Sequence, residues 1–302
     1  MARTAVSAVA NAEMMMAMVS GMEGSAGATP VLLSIGEEWR YQERATLGGL
    51  TFRDEDVVSF NPSRNNASFF FRGSGNGVPR GNDIDAVALL PNGNIVFSTE
   101  ASIRYGREDE DLFLWDGTAI SLYYDFTPFH FLNINDIDAL DILDDGRIVF
   151  STLWRFRDPV SRTRFQKEDL VLFDPATEAF HLYEDFTPYF KVNLDAVDIR
   201  TNGDIVFSTG SAFNVAGVSY QDEDLIRFHP GNQEFSLFLD GSSFFSEMPL
   251  KRDGYPDIDA VAILAVPVPE PSTFLYVVLG GIGWIGWRLR NRTGRSRRGR
   301  ED

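Results

Sequence analysis

Short runs of β-branched and aromatic residues alternate with turn dipeptides along the middle of the chain, and the pattern returns four times. Asp83 to Thr99 reads DIDAVALLPNGNIVFST, Asp136 to Thr152 reads DIDALDILDDGRIVFST, Asn193 to Thr209 reads NLDAVDIRTNGDIVFST, and Asp257 to Leu264 reads DIDAVAIL. Interleaved with these are DEDVVSF (Asp54 to Phe60), DEDLFLW (Asp109 to Trp115), KEDLVLF (Lys167 to Phe173) and DEDLIRF (Asp222 to Phe228). Copies of the first motif stand 53 to 64 residues apart, the length of one supersecondary unit. In each unit Asn92-Gly93, Asp145-Gly146 or Asn202-Gly203 supplies the positive φ of a tight hairpin between strands 1 and 2. A loop, the DED strand, a turn on Asp116-Gly117, Asp174-Pro175 or Pro230-Gly231, and a fourth strand such as Ile120 to Tyr124 complete an antiparallel meander. The runs are apolar at consecutive positions, as in Ile95-Val96-Phe97, so both faces of each sheet need cover from neighbouring sheets.

Radially packed four-stranded sheets make a β-propeller. Val31 to Ile35 aligns with the second strand, and Asp54 to Phe60 and Ala67 to Phe71 with the third and fourth, but this first unit has no strand 1; the final DIDAVAIL is a strand 1 without partners. Joined, the fragments complete a blade. The sequence therefore predicts an all-β, four-bladed β-propeller over residues 29–264, closed by pairing of its N- and C-terminal strands, which leaves no open edge. An open stack of four sheets, or a further blade recruited from another chain, is the alternative. The repeat resembles the DxDA/DEDL-type repeats of exported bacterial proteins, a resemblance that brings no activity with it. No Trp-Asp dipeptide closes the third strands, and there is no sialidase-type Asp box.

Beyond the repeats the pattern changes. Residues 265–273 form a linker containing Val268-Pro269-Glu270-Pro271-Ser272, residues 274–287 are apolar, and residues 288–302 carry seven arginines. Fourteen helical residues span about 21 Å against a hydrocarbon core of about 30 Å. Gly280, Gly281, Gly283 and Gly286 weaken insertion further, while the arginines hold the cytoplasmic side. A short transmembrane helix of this kind suits a transient anchor; a plain tail-anchored protein is the other reading. The order Pro269, Glu270, Pro271, apolar segment, then Arg288, Arg290 and Arg292 resembles the PEP-CTERM sorting signal, although the basic tail runs longer than is usual for it. The resemblance implies an exported precursor, held in the membrane by its C-terminal segment until an exosortase-type enzyme removes the tail. The mature protein would then stand at the cell surface or outside the cell. Residues 1–28 are expected to be a signal peptide: Arg3, an Ala/Val/Met run and Ala26-Gly27-Ala28 supply its regions weakly, Asn11 and Glu13 interrupt it, and Met14 is an alternative start.

Net charge is −17; the last fifteen residues hold seven Arg against Glu301 and Asp302, so residues 1–287 carry −22. A body this acidic repels nucleic acid and anionic lipid and favours cations or basic partners. There is no cysteine, which excludes disulfides and thiolate metal sites.

The starts of strands 1 and 3 share one propeller face, where the acid concentrates and where strand 2 ends in Ser98-Thr99, Ser151-Thr152 or Ser208-Thr209. Two explanations compete. Structurally, these carboxylates accept bonds from backbone N–H groups and neighbouring hydroxyls and fix blade geometry; their recurrence in every repeat favours this. Functionally, Asp85, Asp138, Asp195 and Asp259 could ring the axis and hold Ca²⁺, an oxygen-only site outside the EF-hand and nonapeptide spacings. The strand 4 to strand 1 loops add aromatics to the same face: Phe129 and Phe131 in DFTPFHF, Tyr189 and Phe190 in DFTPYF, Phe244 and Phe245 in DGSSFF. Exposed, they would stack on sugars; the plainer reading makes them plugs between blades. His130, His181 and His229 fall at different repeat positions and Gly75-Asn76-Gly77 cradles no phosphate, so catalysis has little support. The sequence reads as a non-catalytic binding or structural protein of the envelope or matrix, with exopolysaccharide as the partner that the sorting resemblance suggests. The alternative is a glycosidase-like enzyme using two carboxylates of the acidic face.

Overall fold

The structure is a computed structural model, and it describes residues 29–36, 44–101, 103, 110–129, 136–246 and 255–264. The expected signal peptide, PEP motif, transmembrane segment and basic tail lie outside these residues. In chain order come β1 (Val31–Gly36), the hairpin β2 (Arg44–Leu47) and β3 (Leu50–Arg53), β4 (Asp56–Asn61) and β5 (Asn66–Arg72). Next are β6 (Ala86–Leu89), β7 (Ile95–Ser98), β8 (Leu112–Trp115) and β9 (Ile120–Tyr124). The third group is β10 (Ala139–Ile142), β11 (Ile148–Ser151), the hairpin β12 (Phe156–Arg157) and β13 (Arg164–Phe165), β14 (Asp169–Asp174) and β15 (Ala179–Asp185). The fourth is β16 (Leu194–Ile199), β17 (Ile205–Thr209), the hairpin β18 (Phe213–Val215) and β19 (Val218–Tyr220), β20 (Leu225–His229) and β21 (Glu234–Leu239), and β22 (Asp257–Ile263) ends the propeller.

Four four-stranded sheets result: β22-β1-β4-β5 (blade 1), β6-β7-β8-β9 (blade 2), β10-β11-β14-β15 (blade 3) and β16-β17-β20-β21 (blade 4). Blade 1 is the composite blade expected from the sequence. β22 runs antiparallel to β1 with Val31 opposite Ile263 and Leu33 opposite Val261, and the Leu264 N–H donates to the Pro30 carbonyl at 3.1 Å. The inner hairpins turn on Gly93, Gly146 and Gly203, all near φ +85°, a conformation that glycine adopts without a Cβ penalty. The three small hairpins in the strand 2 to strand 3 connections were not expected; they are too short and too polar to show a period-2 signal.

Side chains alternate between the two faces of each blade, and each face meets a different neighbour. Between blades 2 and 3, Ala86, Ala88, Val96 and Leu112 pack against Leu140, Ile148, Phe150, Val171 and Phe173. Between blades 3 and 4, Ala139, Val149 and Leu170 meet Val197, Ile205, Phe207, Ile226 and Phe228. The other two seams repeat the arrangement, with Ala196, Val206 and Leu225 facing β1, β4 and β22, and Ala260, Ala262 and Leu32 facing Val87, Ile95 and Phe97. Alanine on the inner strand lets neighbouring blades approach, and phenylalanine farther out fills the widening wedge. Each fully buried Phe or Leu of this kind contributes about 1.5–3 kcal/mol. The extra hairpins cap three seams with Phe52, with Phe156 and Phe165, and with Phe213 and Tyr220.

Polar groups also cross the seams. Ser98, Ser151 and Ser208 donate their hydroxyls to the carbonyls of Ile137, Leu194 and Ile258 on the next blade. This corrects the expected Ser–carboxylate pairing: the strand 2 hydroxyls bind main chain, and Thr99, Thr152 and Thr209 likewise donate to carbonyls two residues on. Asp141 Oδ2 accepts the Ile199 N–H, and Asp198 Oδ2 the Ile263 N–H, each at 2.7 Å, tying blade 3 to blade 4 and blade 4 to blade 1. Burial, then the Asp198 carboxylate, raises Asp141 to about 7, against the pull of the Ile199 and Ile142 amides and of Arg200.

Two outcomes follow for stability. Deleting Asp257–Leu264 removes the inner strand of blade 1 and should abolish the cooperative thermal transition; a near-normal midpoint would mean that the ring does not depend on its clasp. An acid raised in the fold stabilises fully below its unfolded value near 3.8 and loses that contribution as pH rises toward 7. Urea midpoints should therefore fall from pH 4 to pH 8, and Asp141→Asn should flatten that fall.

Candidate functional site

The inner strands β22, β6, β10 and β16 begin at one end of the axis, and the acidic pair that precedes or opens each one is carried there. Asp83, Asp85, Asp136, Asp138, Asp195 and Asp257 are all buried, and Asp259 is half-buried. Carboxylate oxygens of Asp83, Asp85 and Asp259 lie within 4.8 Å of one another, and so do those of Asp195, Asp257 and Asp259. Three of the four residues named from the sequence, Asp85, Asp195 and Asp259, thus meet in these two triplets. Asp138 joins the same mouth through its field on Asp85 and Asp195.

Electrostatics follow from burial and crowding. Desolvation first, then the charges of Asp136, Asp83, Asp138 and Asp259, holds Asp85 well above the ordinary carboxylate range. Asp195 is raised well above it by desolvation and then by Asp257, Asp259 and Asp138. Asp138 is pushed up to about 7 by burial, tempered by an Asn193 hydrogen bond and by Lys167. Asn193 stands where the other copies have aspartate, and its amide bridges two carboxylates, donating to Asp138 Oδ2 and to Asp195 Oδ1 (2.9 Å). On the other side of the mouth, Asp85 Oδ2 is buried and accepts no hydrogen bond among the described residues. Room for the crowd is made by two glycines that follow second strands or end them: a Cβ on Gly36 would overlap the Asp259 carboxylate, and one on Gly210 would press on Asp195 Oδ2 at 2.7 Å.

The strand 3 acids do different work. Asp56 accepts the N–H groups of Arg53 and Gly73, Asp111 that of Phe126, Asp169 that of Gln166, and Asp224 those of Gln221 and Gly241. The last carboxylate of each DED-type motif thus pins the head of its strand, in three blades to the end of strand 4. Glu55, beside them, is fully buried with neither oxygen hydrogen-bonded among the described residues.

The loop aromatics mostly turn inward. Asp125 and Asp185 fold their loops by accepting the N–H of Thr127 and Thr187. Phe126 and Phe186 are thereby driven into the next seam, each with its ring centroid 5.1 Å from that of Phe173 or Phe228. Phe190 and Phe245 are buried, and Phe129, Tyr189 and Phe244 pack against the core clusters, Phe129 edge-on to Phe180 at 5.4 Å and Phe244 edge-on to Phe60 at 5.2 Å. Phe190 and Phe245 thus serve as blade plugs, while Phe129, Tyr189 and Phe244 pack on the core and stay partly exposed; Phe131 and His130 lie outside the described residues. His229 Nδ1 meets Asp204 at 2.7 Å, and His181 is exposed on β15, so these two form no common site.

One surface feature went unread in the sequence. On the same face, blade 3 carries a groove of about 790 Å³ lined by Trp154, Arg155, Arg164, Lys167, Leu182 and Lys191, among others. Trp154 is 61% exposed. The signal was a break in the repeat: where Glu100 or Gly210 follows the Ser-Thr of strand 2, this unit has Leu153-Trp154-Arg155.

Residues 267–292 match the PEP-CTERM protein-sorting motif, a span that contains Pro269, Glu270, Pro271, Arg288 and Arg290. The chain thus carries the signal of an exported protein that an exosortase sorts to the cell surface. No curated protein matches the chain. Among solved structures it is similar to YCF48 bound to D1 peptide, at 12% identity over 70% of this chain and 58% of that one, with a TM-score of 0.31. It is also similar to a protein of unknown function from Bacteroides caccae (9% identity, 78% of this chain and 99% of that one, TM-score 0.35). A third likeness is to a structural genomics protein of unknown function from Bacteroides thetaiotaomicron VPI-5482 (8%, 72% and 46%, TM-score 0.34). The aligned region spans about half the length of the first and third of these.

Because Asp111 supplies the acceptor for a buried Phe126 N–H, Asp111→Ala should cost about 1–3 kcal/mol in denaturant unfolding, with Asp111→Asn milder.

Proposed function

We propose that the protein is a non-catalytic binding and structural component of the cell surface or extracellular matrix, whose partner is an anionic exopolysaccharide taken in the blade 3 groove. The observation that carries this reading is the exposed Trp154 among Arg155, Arg164, Lys167 and Lys191. An indole face stacks on the C–H face of a pyranose, and guanidinium and ammonium groups pair with uronate or sulfate oxygens. The groove is also lined by Glu168, Asp169 and Asp185, so its cations stand in a mixed-charge setting. On a body of charge −22 this clustering of Arg155, Arg164, Lys167 and Lys191 is still a local exception, which favours capture of an acidic polymer at this place over general adsorption. Lys191 is held by Glu168 at 3.2 Å, which fixes one wall of the groove.

Two features speak against catalysis at the acidic mouth. Its carboxylates are buried or half-buried, whereas a glycosidase pair must admit a sugar between its members. Acid also recurs at the head of every inner strand, while a reaction needs one place.

Binding to immobilised uronate-bearing and neutral polysaccharides, with reducing-end release measured in the same samples, tests the reading. Retention of the acidic polymers without turnover, weakened by salt and lost in Trp154→Ala, is expected. Turnover that disappears in Asp138→Asn would overturn it in favour of an enzyme, and retention unaffected by Trp154→Ala would move the ligand elsewhere.

A further inference from the structure

We propose that the axial mouth is a divalent-cation site of the Ca²⁺ class, formed by the carboxylates of Asp83, Asp85 and Asp259 at the seam of blades 1 and 2. This stands on observations independent of the Trp154 groove and holds whether or not that groove takes a saccharide.

The first observation is convergence. Three carboxylate oxygens from two different inner strands lie within 4.8 Å of one another. An ion with Ca–O distances of about 2.3–2.6 Å can touch all three, since oxygens on opposite sides of such an ion stand about 5 Å apart. The donors are all hard oxygens, and the chain has no thiolate to offer a softer metal.

The second is a buried acceptor without a donor. Asp85 is 92% removed from solvent (8% exposed), and its Oδ2 receives no hydrogen bond among the described residues. A buried carboxylate oxygen left this way is unfavourable, and a bound cation would satisfy it.

The third is asymmetry within a fourfold repeat. Across the mouth, Asn193 replaces the first aspartate of its pair, and its amide bridges Asp138 and Asp195, doing locally what a cation would do. Blades 1, 2 and 3 keep both aspartates, Asp257 with Asp259, Asp83 with Asp85 and Asp136 with Asp138, but Asp138 is the one that the Asn193 amide reaches. The Asp259 carboxylate occupies space that any side chain at position 36 would fill, so Gly36 keeps open the very place the site requires. On the blade 3 and blade 4 side an amide supplies hydrogen bonds to the carboxylates, and on the blade 1 and blade 2 side no described residue does so for Asp85 Oδ2. Asp195 and Asp257, which share Asp259 in the second triplet, supply the remaining negative field around the site.

The test uses the full chain, stripped with EDTA and dialysed. Added CaCl₂ should raise the thermal midpoint, because a ligand that binds only the folded state stabilises it by mass action, and calorimetry should show saturable binding near one ion per chain. Asp85→Asn and Asp259→Asn should each weaken Ca²⁺ binding by about tenfold or more, as expected for loss of a charged ligand. Both should also raise the metal-free midpoint, because they relieve repulsion among the carboxylates; that second readout separates a lost site from a damaged fold. Asp138→Asn, on the amide-bridged side, should keep the Ca²⁺ response. No midpoint shift and no saturable heat would overturn the proposal, as would full Ca²⁺ affinity in both Asp85→Asn and Asp259→Asn.

Discussion

A ring of only four sheets leaves very little space at its axis, and most of what is unusual in this protein follows from that crowding. The inner strands β6, β10, β16 and β22 stand side by side, and the alanines at Ala86, Ala88, Ala139, Ala196, Ala260 and Ala262 are what lets them do so. Larger residues there would force the blades apart and empty the aromatic wedges behind them. Whatever side chains open the inner strands must then share the end of the axis. Here they are carboxylates, which gather at a density that only hydrogen-bond donors, protons or cations can sustain.

The repeat meets that constraint with two separate sets of acids. One set is absorbed into the architecture. Asp141 and Asp198 tie blade to blade, and Asp56, Asp111, Asp169 and Asp224 pin strand heads, each by accepting main-chain N–H groups. The other set, at the mouth, is only partly absorbed. Departures from the repeat mark where the blades stop being equivalent: Asn193 in blade 4 and Trp154 in blade 3. An architectural role must be filled in every copy, but a ligand needs to be met only once, so irregularities within a regular fold are the better guide to function.

The fold was legible because its signals are local and repeated. Turn dipeptides, apolar triplets and the two orphaned half-units at Val31 and Asp257 together specify four blades and their closure, and the axial meeting of Asp85, Asp195 and Asp259 follows from strand order alone. What could not be read was the direction of side chains in loops. DFTP-type segments look exposed in sequence, yet an aspartate bonding the amide two residues on curls the loop and buries its Phe. The Ser hydroxyls at the ends of strand 2 reach the next blade's carbonyls because the blades pack face to face, a fact of tertiary geometry that neighbouring sequence does not encode. Trp154 stands at a position that the other copies do not share, so the repeat itself does not mark it.

The composite blade also sets an order of events. β1 precedes every other strand of the propeller, and the strand that covers its open edge, β22, is the last of the propeller to be made. Val31 finds Ile263 only after every other blade has been synthesised, and such a distant pairing is slow to form compared with the hairpins between. The sorting motif begins at residue 267, three residues past the end of the described propeller. A chain crossing the membrane N-terminus first would therefore carry an unfinished ring almost until its sorting signal arrives. Completion of the ring and the start of the sorting signal thus fall side by side along the chain.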